Sequence, residues 1–527
     1  MKNINLRSFL ILISGCFLLS CEQKNPDSQP VAEPMEQKTP VAQASSPPVS
    51  KSGISWFEGS VEEAFALAER GNKPMFLYWG AVWCPPCVEI KNTVFKSPQF
   101  IALTELFIPV YLDGDTERAQ TWGDTFDAKV YPTMIVFNPA GEEVTRLHAG
   151  IDISAYNSVL QLSLDNMRPV RDMVEAALSD PASLSDSELQ QLAYYSWYDA
   201  RDLPEDIPPS LFLQLSDLAS EKSPGAAARL YLQYVIALQD SEEPMRADAA
   251  RMAEIIDDPA LTFASWDYLI MPEQLIDGIA AEGEGLAALN AAWAIALHER
   301  RLDPRLSVKN QLYGWRPLLV FHFEGDEDKN SPLPDGVADA IRADVRSADE
   351  SVAGSHSRQS VINTASNVLV LAGMTEDARA LLAAEIDKSK TPYYFMGSLA
   401  YLEEQEGNEA VSLEWRRKAY EDAKGPATRI RWWASYVQAL VRLAPEDSES
   451  ILAAAMYVFD EGQGMEELFS GANYRNLKRA TESLRTWDEA QNSGETMLAE
   501  FERALGEACE GQAAGSVEAG NCSNLGP

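Results

Sequence analysis

Basic residues are scarce in this chain. Its 43 Lys and Arg stand against 80 Asp and Glu, giving a net charge of −37 and an isoelectric point near 4.4. That deficit excludes nucleic acid as a partner, because phosphates are neutralised by Lys and Arg. Acidity of this degree argues for solubility and says nothing of an activity. Histidine is scarcer still: His148, His298, His322 and His356 lie far apart, which reads as packing or surface positions rather than bases or ligands. Six cysteines in 527 residues are too few for a disulfide-built scaffold. Strand signals nearly vanish beyond Pro169. With 46% apolar residues the chain can still bury sizeable cores, and its length calls for more than one domain.

What is present starts with an address. Lys2 and Arg7 precede an apolar run from Phe9 to Leu19, too short for a comfortable membrane span, and a polar stretch follows at once. The run ends in Leu18-Leu19-Ser20-Cys21, which resembles the bacterial lipobox, whose cysteine is lipidated and becomes the mature N-terminus. The resemblance implies a lipoprotein signal peptide over 1–20, lipid on Cys21, and a place in the bacterial cell envelope on the periplasmic side of a membrane. Ile13-Ser14-Gly15-Cys16 fits the same pattern with a shorter apolar core. An ordinary signal peptide cut elsewhere, or an uncleaved anchor, is the alternative. Residues 21–52 have too few large apolar side chains to offset the entropy of folding and read as a disordered tether. Treated as a flexible coil, its r.m.s. reach is roughly 30 Å. Export puts the remaining cysteines in an oxidising compartment.

The first folded unit spans 53–167. Ser60-Val61-Glu62-Glu63 has capping-box spacing, and Val61, Ala64, Phe65 and Ala68 then repeat at helical intervals before Gly71. Met75 to Trp79 is a short continuous apolar run, as a strand buried on both faces would be. Phe107 to Leu112 and Thr133 to Phe137 read as further strands, with a helix over Thr116 to Phe126 between them. An Asn138-Pro139-Ala140-Gly141 turn leads to a hairpin partner, Glu143 to Leu147, and a helix over Ser154 to Leu164 closes the unit.

The chemistry lies in Trp83-Cys84-Pro85-Pro86-Cys87. Two cysteines three residues apart at a strand-to-helix turn form a redox centre, and the attacking species is a thiolate. If the helix begins at Pro85, Cys84 sits at its N-terminus, where unpaired backbone N–H groups and the helix dipole favour negative charge. Cys87, one turn further in, can attack a mixed disulfide on Cys84 and release the partner reduced. A metal site needs more ligands than this pair supplies, so neither metal nor cofactor is expected. An inert structural disulfide is the other bland reading. Asp113-Gly114-Asp115 hints at a calcium loop but lacks its remaining ligands, and reads as a strand-end turn.

The element order, with Lys73-Pro74, Trp83-Cys84-Pro85-Pro86-Cys87, Val94-Phe95, Val130-Tyr131-Pro132-Thr133 and the Asn138 to Glu143 hairpin, resembles the thioredoxin fold of exported thiol–disulfide oxidoreductases. The resemblance implies an α/β domain with a central mixed sheet flanked by helices. It also implies that Cys84 and Cys87 are catalytic, supported by Trp83, Pro86, Tyr131 and Pro132, with Pro132 as the cis-proline beside the cysteine pair. Many thioredoxins carry a buried Asp six residues before the first cysteine, and this chain has Tyr78 there. Proton transfer must then use another group or water. Glu89 is one candidate, with a solvated surface carboxylate as its alternative reading. Pro85-Pro86 resembles membrane-tethered reductants of the periplasm, whereas Tyr131 before the proline resembles protein disulfide isomerase domains.

Residues 168–508 read as an all-α helical-hairpin or repeat region, in which helical segments alternate with Pro, Gly, Asp or Ser breaks. Gly373 and Gly407 fall 34 residues apart, and Ala378, Leu399-Ala400 and Ala419 sit near the small-residue positions of tetratricopeptide repeats. A compact bundle is the alternative. Glu324 to Pro334 reads as a loop dividing the region. The tail, 509–527, reads as disordered, with Cys509 and Cys522 paired to each other. Two functional classes follow. One is a membrane-tethered oxidoreductase, with protein disulfides or thiols as substrates and a membrane redox partner that recycles the pair. The other is a helical interaction scaffold whose first domain mainly binds.

Overall fold

The computed structural model describes residues 53–526, apart from 117, 148–152, 200–202, 205, 240–245, 327–328, 353–354, 463–466 and 492–496. The stretches read as signal peptide and tether, with Cys21, fall outside the described residues.

The first helix, α1 (Val61–Gly71), starts where Ser60 and Glu63 satisfy each other's backbone N–H groups, at 3.2 and 2.9 Å. It leads into the four-stranded sheet, whose order is β2-β1-β3-β4, with β1 Met75–Gly80, β2 Ile108–Asp113, β3 Thr133–Phe137 and β4 Glu143–Leu147. The β1 strand is central, parallel to β2 and antiparallel to β3, so Leu77 faces Val110 on one side and Ile135 on the other. That position explains its unbroken apolar run, since both faces are covered. Met75, Leu77 and Trp79 pack with α1 in one core, while Phe76 and Tyr78 point into another. Between the strands lie α2 (Pro85–Asn92), α3 (Pro98–Thr104) and α4 (Ala119–Thr125), and α5 (Ile153–Asp165) follows β4. The short α3, opened by Pro98, has no counterpart in the sequence reading.

Beyond Asp165 the described chain is helical, with many helices packed on their neighbours in sequence, as hairpins require. Gly373 and Gly407, at φ 70° and 76°, end two helices in the same way. The amide of the residue after each glycine reaches back to a carbonyl of the last turn, Met374 to Leu369 and Asn408 to Glu403, both at 2.8 Å. Only a left-handed residue closes a helix by this route without strain.

Two expectations need correction. The loop between Phe323 and Gly336 exists, but it does not divide the helical cores. The buried residues of one core run from Val170 to Leu306 and those of the next begin at Leu312, while Tyr313 packs against both and Phe321 against the first, so the two cores meet across the helices Val308–Tyr313 and Arg316–His322 and not at the loop. Nor is the tail disordered. Ser516 caps a helix, Val517–Leu525, that buries Cys522 and Leu525 in the main core, and Cys509 is bonded to Cys522 with Cα atoms 5.6 Å apart. A Gly, Ser and Asn-rich composition hid two apolar anchors and a cap.

Candidate active site

At the site, Pro85 and Pro86 open α2 at positions where a missing N–H costs nothing, which makes Cys84 the N-cap residue. Its Sγ accepts the Cys87 N–H at 3.3 Å and donates its proton to the Tyr131 carbonyl at 3.4 Å. The Tyr131–Pro132 peptide is cis, and the Tyr131 carbonyl in the loop before β3 faces the first cysteine. The Tyr131 ring stacks on Trp79 at 4.0 Å and meets the edge of Trp83 at 5.6 Å, and its hydroxyl accepts from Gln120 Nε2 at 2.9 Å. Every residue named for the site is thus brought together: Trp83, Cys84, Pro86 and Cys87 on one side, Tyr131 and Pro132 on the other. Both cysteines are free.

The model of the thioredoxin-like family matches residues 56–139. This domain is thioredoxin-like. No curated protein matches the chain.

The cysteine pair of this thioredoxin-like domain is covered. Cys84 is 3% exposed and Cys87 not at all, because the helical region lies over the turn that carries them. Gln359, on the helix Ser355–Leu371, donates to the Trp83 carbonyl at 2.5 Å. Arg431, on the helix Pro426–Leu443, places its guanidinium 4.5 Å from the Trp83 ring centre. Among the large apolar residues flanking the two motifs, Val82 and Val130 keep sizeable exposed surface.

Burial changes the electrostatics of the pair. It pushes the Cys84 thiol up, and the neighbouring Cys87 sulfur pushes it further. Burial opposes a Cys87 thiolate too, but the Cys84 thiol, the Ala81 backbone, the Tyr78 hydroxyl and the Lys91 charge together outweigh it and hold Cys87 low. In this closed arrangement Cys84 holds its proton more tightly than Cys87 does, consistent with its bond to the Tyr131 carbonyl. The helix N-terminus reads correctly from sequence, but the desolvation that opposes it does not.

Glu89 is not a solvated carboxylate. It accepts from Lys309 Nζ at 2.7 Å and from Ser307 Oγ at 2.5 Å, locking α2 to the helical region. Burial would discharge Lys309, but Glu89 keeps it protonated. Asp115 is likewise a strap and not a calcium ligand. Its carboxylate accepts the Thr428 N–H at 2.9 Å and Oγ1 at 2.6 Å, capping the helix Pro426–Leu443 from across the interface. A Cβ on Gly425 would collide with that carboxylate.

Opening the cover should be measurable. The Gln359 hydrogen bond and the Arg431 contact are together worth on the order of 2 kcal/mol. The variant Gln359→Ala with Arg431→Ala should therefore raise the alkylation rate of Cys84 by roughly tenfold or more, since ~1.4 kcal/mol is a factor of ten. Mass-resolved kinetics with iodoacetamide would read it, and an unchanged rate would remove these two residues from the cover.

Proposed function

We propose that the chain is a thiol–disulfide oxidoreductase that acts on protein substrates through Cys84 and Cys87. It works at the periplasmic face of a bacterial membrane, held there by lipid on Cys21 and a tether over 21–52. The observation that carries the reading is the pairing of two free cysteines at a helix N-terminus with the carbonyl of a cis Tyr131–Pro132 peptide. A binding-only domain has no need of that constellation. The direction proposed is reductive: Cys84 attacks a substrate disulfide, Cys87 resolves it, and a membrane redox partner returns the pair to the dithiol state.

The helical cover supports a substrate-selective version of this activity. A generic disulfide meets a closed site, whereas a partner that engages the helices gains access to Cys84. The same burial favours a second reading, a helical scaffold whose redox pair is vestigial. A redox titration of the full chain separates the two. In glutathione buffers of graded ratio, Cys84 and Cys87 should interconvert between dithiol and disulfide, counted by alkylation and mass. A pair that never oxidises, or once oxidised never returns, would leave the scaffold.

A further inference from the structure

Cys87 has no exposed surface. The proton it must lose to resolve a mixed disulfide therefore cannot pass straight to water. The side chain standing where many thioredoxins have a carboxylate is Tyr78, whose buried hydroxyl has no nitrogen or oxygen partner and favours the Cys87 thiolate beside it but ends in no group that passes a proton on. Lys91 follows Cys87 by four residues on α2, which puts the two side chains on one helix face. Its ammonium lies 5.8 Å from the centre of the Tyr78 ring and 4.5 Å from that of Tyr111. It donates to Tyr111 Oη at 2.5 Å, and Tyr111 Oη donates to Asp113 Oδ2 at 2.7 Å. Asp113 ends β2 and is partly exposed. A hydrogen-bonded chain thus runs from Lys91, on the helix face it shares with Cys87, through Tyr111 to Asp113 at the edge of the sheet.

We propose that Lys91, Tyr111 and Asp113 set the ionisation of Cys87 and carry its proton to solvent, replacing the carboxylate that Tyr78 displaces. The proposal rests on the reading of Cys84 and Cys87 as an exchanging pair. Lys91 hands a proton to Tyr111 as Tyr111 hands one to Asp113, and the freed amine takes the proton of the Cys87 thiol. Cys87 is then a thiolate beside an ammonium, and Asp113 is protonated. The thiolate attacks Cys84 Sγ, the Cys84–substrate S–S bond breaks, and the substrate leaves as a thiolate. Asp113 releases its proton to solvent, and two electrons have passed from the dithiol to the substrate.

The surroundings fit a lysine in this role. Burial lowers Lys91 from its usual range while Asp113 opposes the shift, so its proton is more readily exchanged than that of a surface lysine. Tyr111 is raised by burial and by Asp113 and stays protonated as a donor. The other charged groups around the pair are engaged elsewhere. Arg431 lies on Trp83, Glu89 is tied to Lys309, and Asp115 is tied to Thr428. Lys91, Tyr111 and Asp113 are positioning residues here, acting through Cys87.

The test reads the ionisation of Cys87 directly and does not require exchange activity. In a Cys84→Ser background of the full chain, the ultraviolet absorbance of the thiolate is followed against pH, as a difference from the Cys84→Ser, Cys87→Ser chain. Lys91→Met should raise the Cys87 midpoint by about one unit, a roughly tenfold loss of thiolate at neutral pH, and Lys91→Arg should restore it. A merely structural lysine would lower the melting temperature and leave the midpoint in place. Should Lys91→Met fail to fold, Tyr111→Phe serves. In the otherwise native chain it should slow resolution of a preformed Cys84 mixed disulfide about tenfold at neutral pH, with the deficit shrinking as pH rises. An unmoved midpoint in folded Lys91→Met, or a pH-independent deficit or none in Tyr111→Phe, would overturn the proposal. A normal midpoint shift in a chain that exchanges nothing would instead count against the redox function alone.

Discussion

Replacing Cys84 with serine should abolish disulfide exchange, by at least about a thousandfold, as removal of a nucleophile does elsewhere. Replacing Cys87 should leave exchange half complete, with substrate trapped on Cys84. The asymmetry follows from position. Cys84 caps α2 and meets the Tyr131 carbonyl at 3.4 Å, at the outer end of the pair. Cys87 lies one turn deeper with no exposed surface and can meet only Cys84. A pH profile adds a second check. Because burial holds the Cys84 thiol above its ordinary range, its thiolate fraction climbs with pH through neutrality. The exchange rate should rise with it, close to tenfold per unit, without the early plateau of an exposed, dipole-stabilised cysteine. Insulin reduction by wild type, Cys84→Ser and Cys87→Ser, with intact-mass detection of mixed disulfides, measures both effects. Equal rates with and without Cys84→Ser, in the chain opened by Gln359→Ala and Arg431→Ala so that insulin reaches the pair, would end the oxidoreductase reading.

Much of this site is legible in the sequence because its information is local. The run Met75 to Trp79 announces a strand covered on both faces, Ser60 and Glu63 announce a helix start, and Pro85 places Cys84 at a cap. The cover on the site is written differently. Gln359 and Arg431 reach Trp83 from hundreds of residues away, and helical periodicity says only that each lies on a helix. It does not say which distant surface that helix meets. Phe76 and Tyr78 show the same limit: alternation puts them on one face of β1, but not that this face joins a core with Trp433 and Val437 of the helical region. Glu89 misled for a related reason. A carboxylate on a short helix is exposed by default, and it takes Lys309 and Ser307, both distant in sequence, to make burial tolerable.

Cutting the chain after Met167 tests how far that shared core holds the redox domain together. Composition alone favours two soluble halves, since 53–167 contains every strand and helix of the thioredoxin-like fold. The interface argues otherwise. The cut removes Gln359 and Arg431 from Trp83, Thr428 from Asp115, Lys309 from Glu89, and the Gly471 N–H that Asp124 accepts at 2.6 Å. It also opens the continuous core on the Phe76 face. Uncovering one large apolar side chain costs ~1.5–3 kcal/mol, and a domain is stable by only ~5–15 kcal/mol. A few such losses use up much of the margin. The isolated fragment should therefore melt well below the full chain and tend to aggregate. Whatever fraction stays folded should reduce a small generic disulfide faster than the full chain does, because its Cys84 is no longer under the helices. Stability and reactivity are thus expected to move in opposite directions on one cut. A fragment that melts with the full chain and reduces the small disulfide no faster would show that the helical region neither supports the redox domain nor closes it.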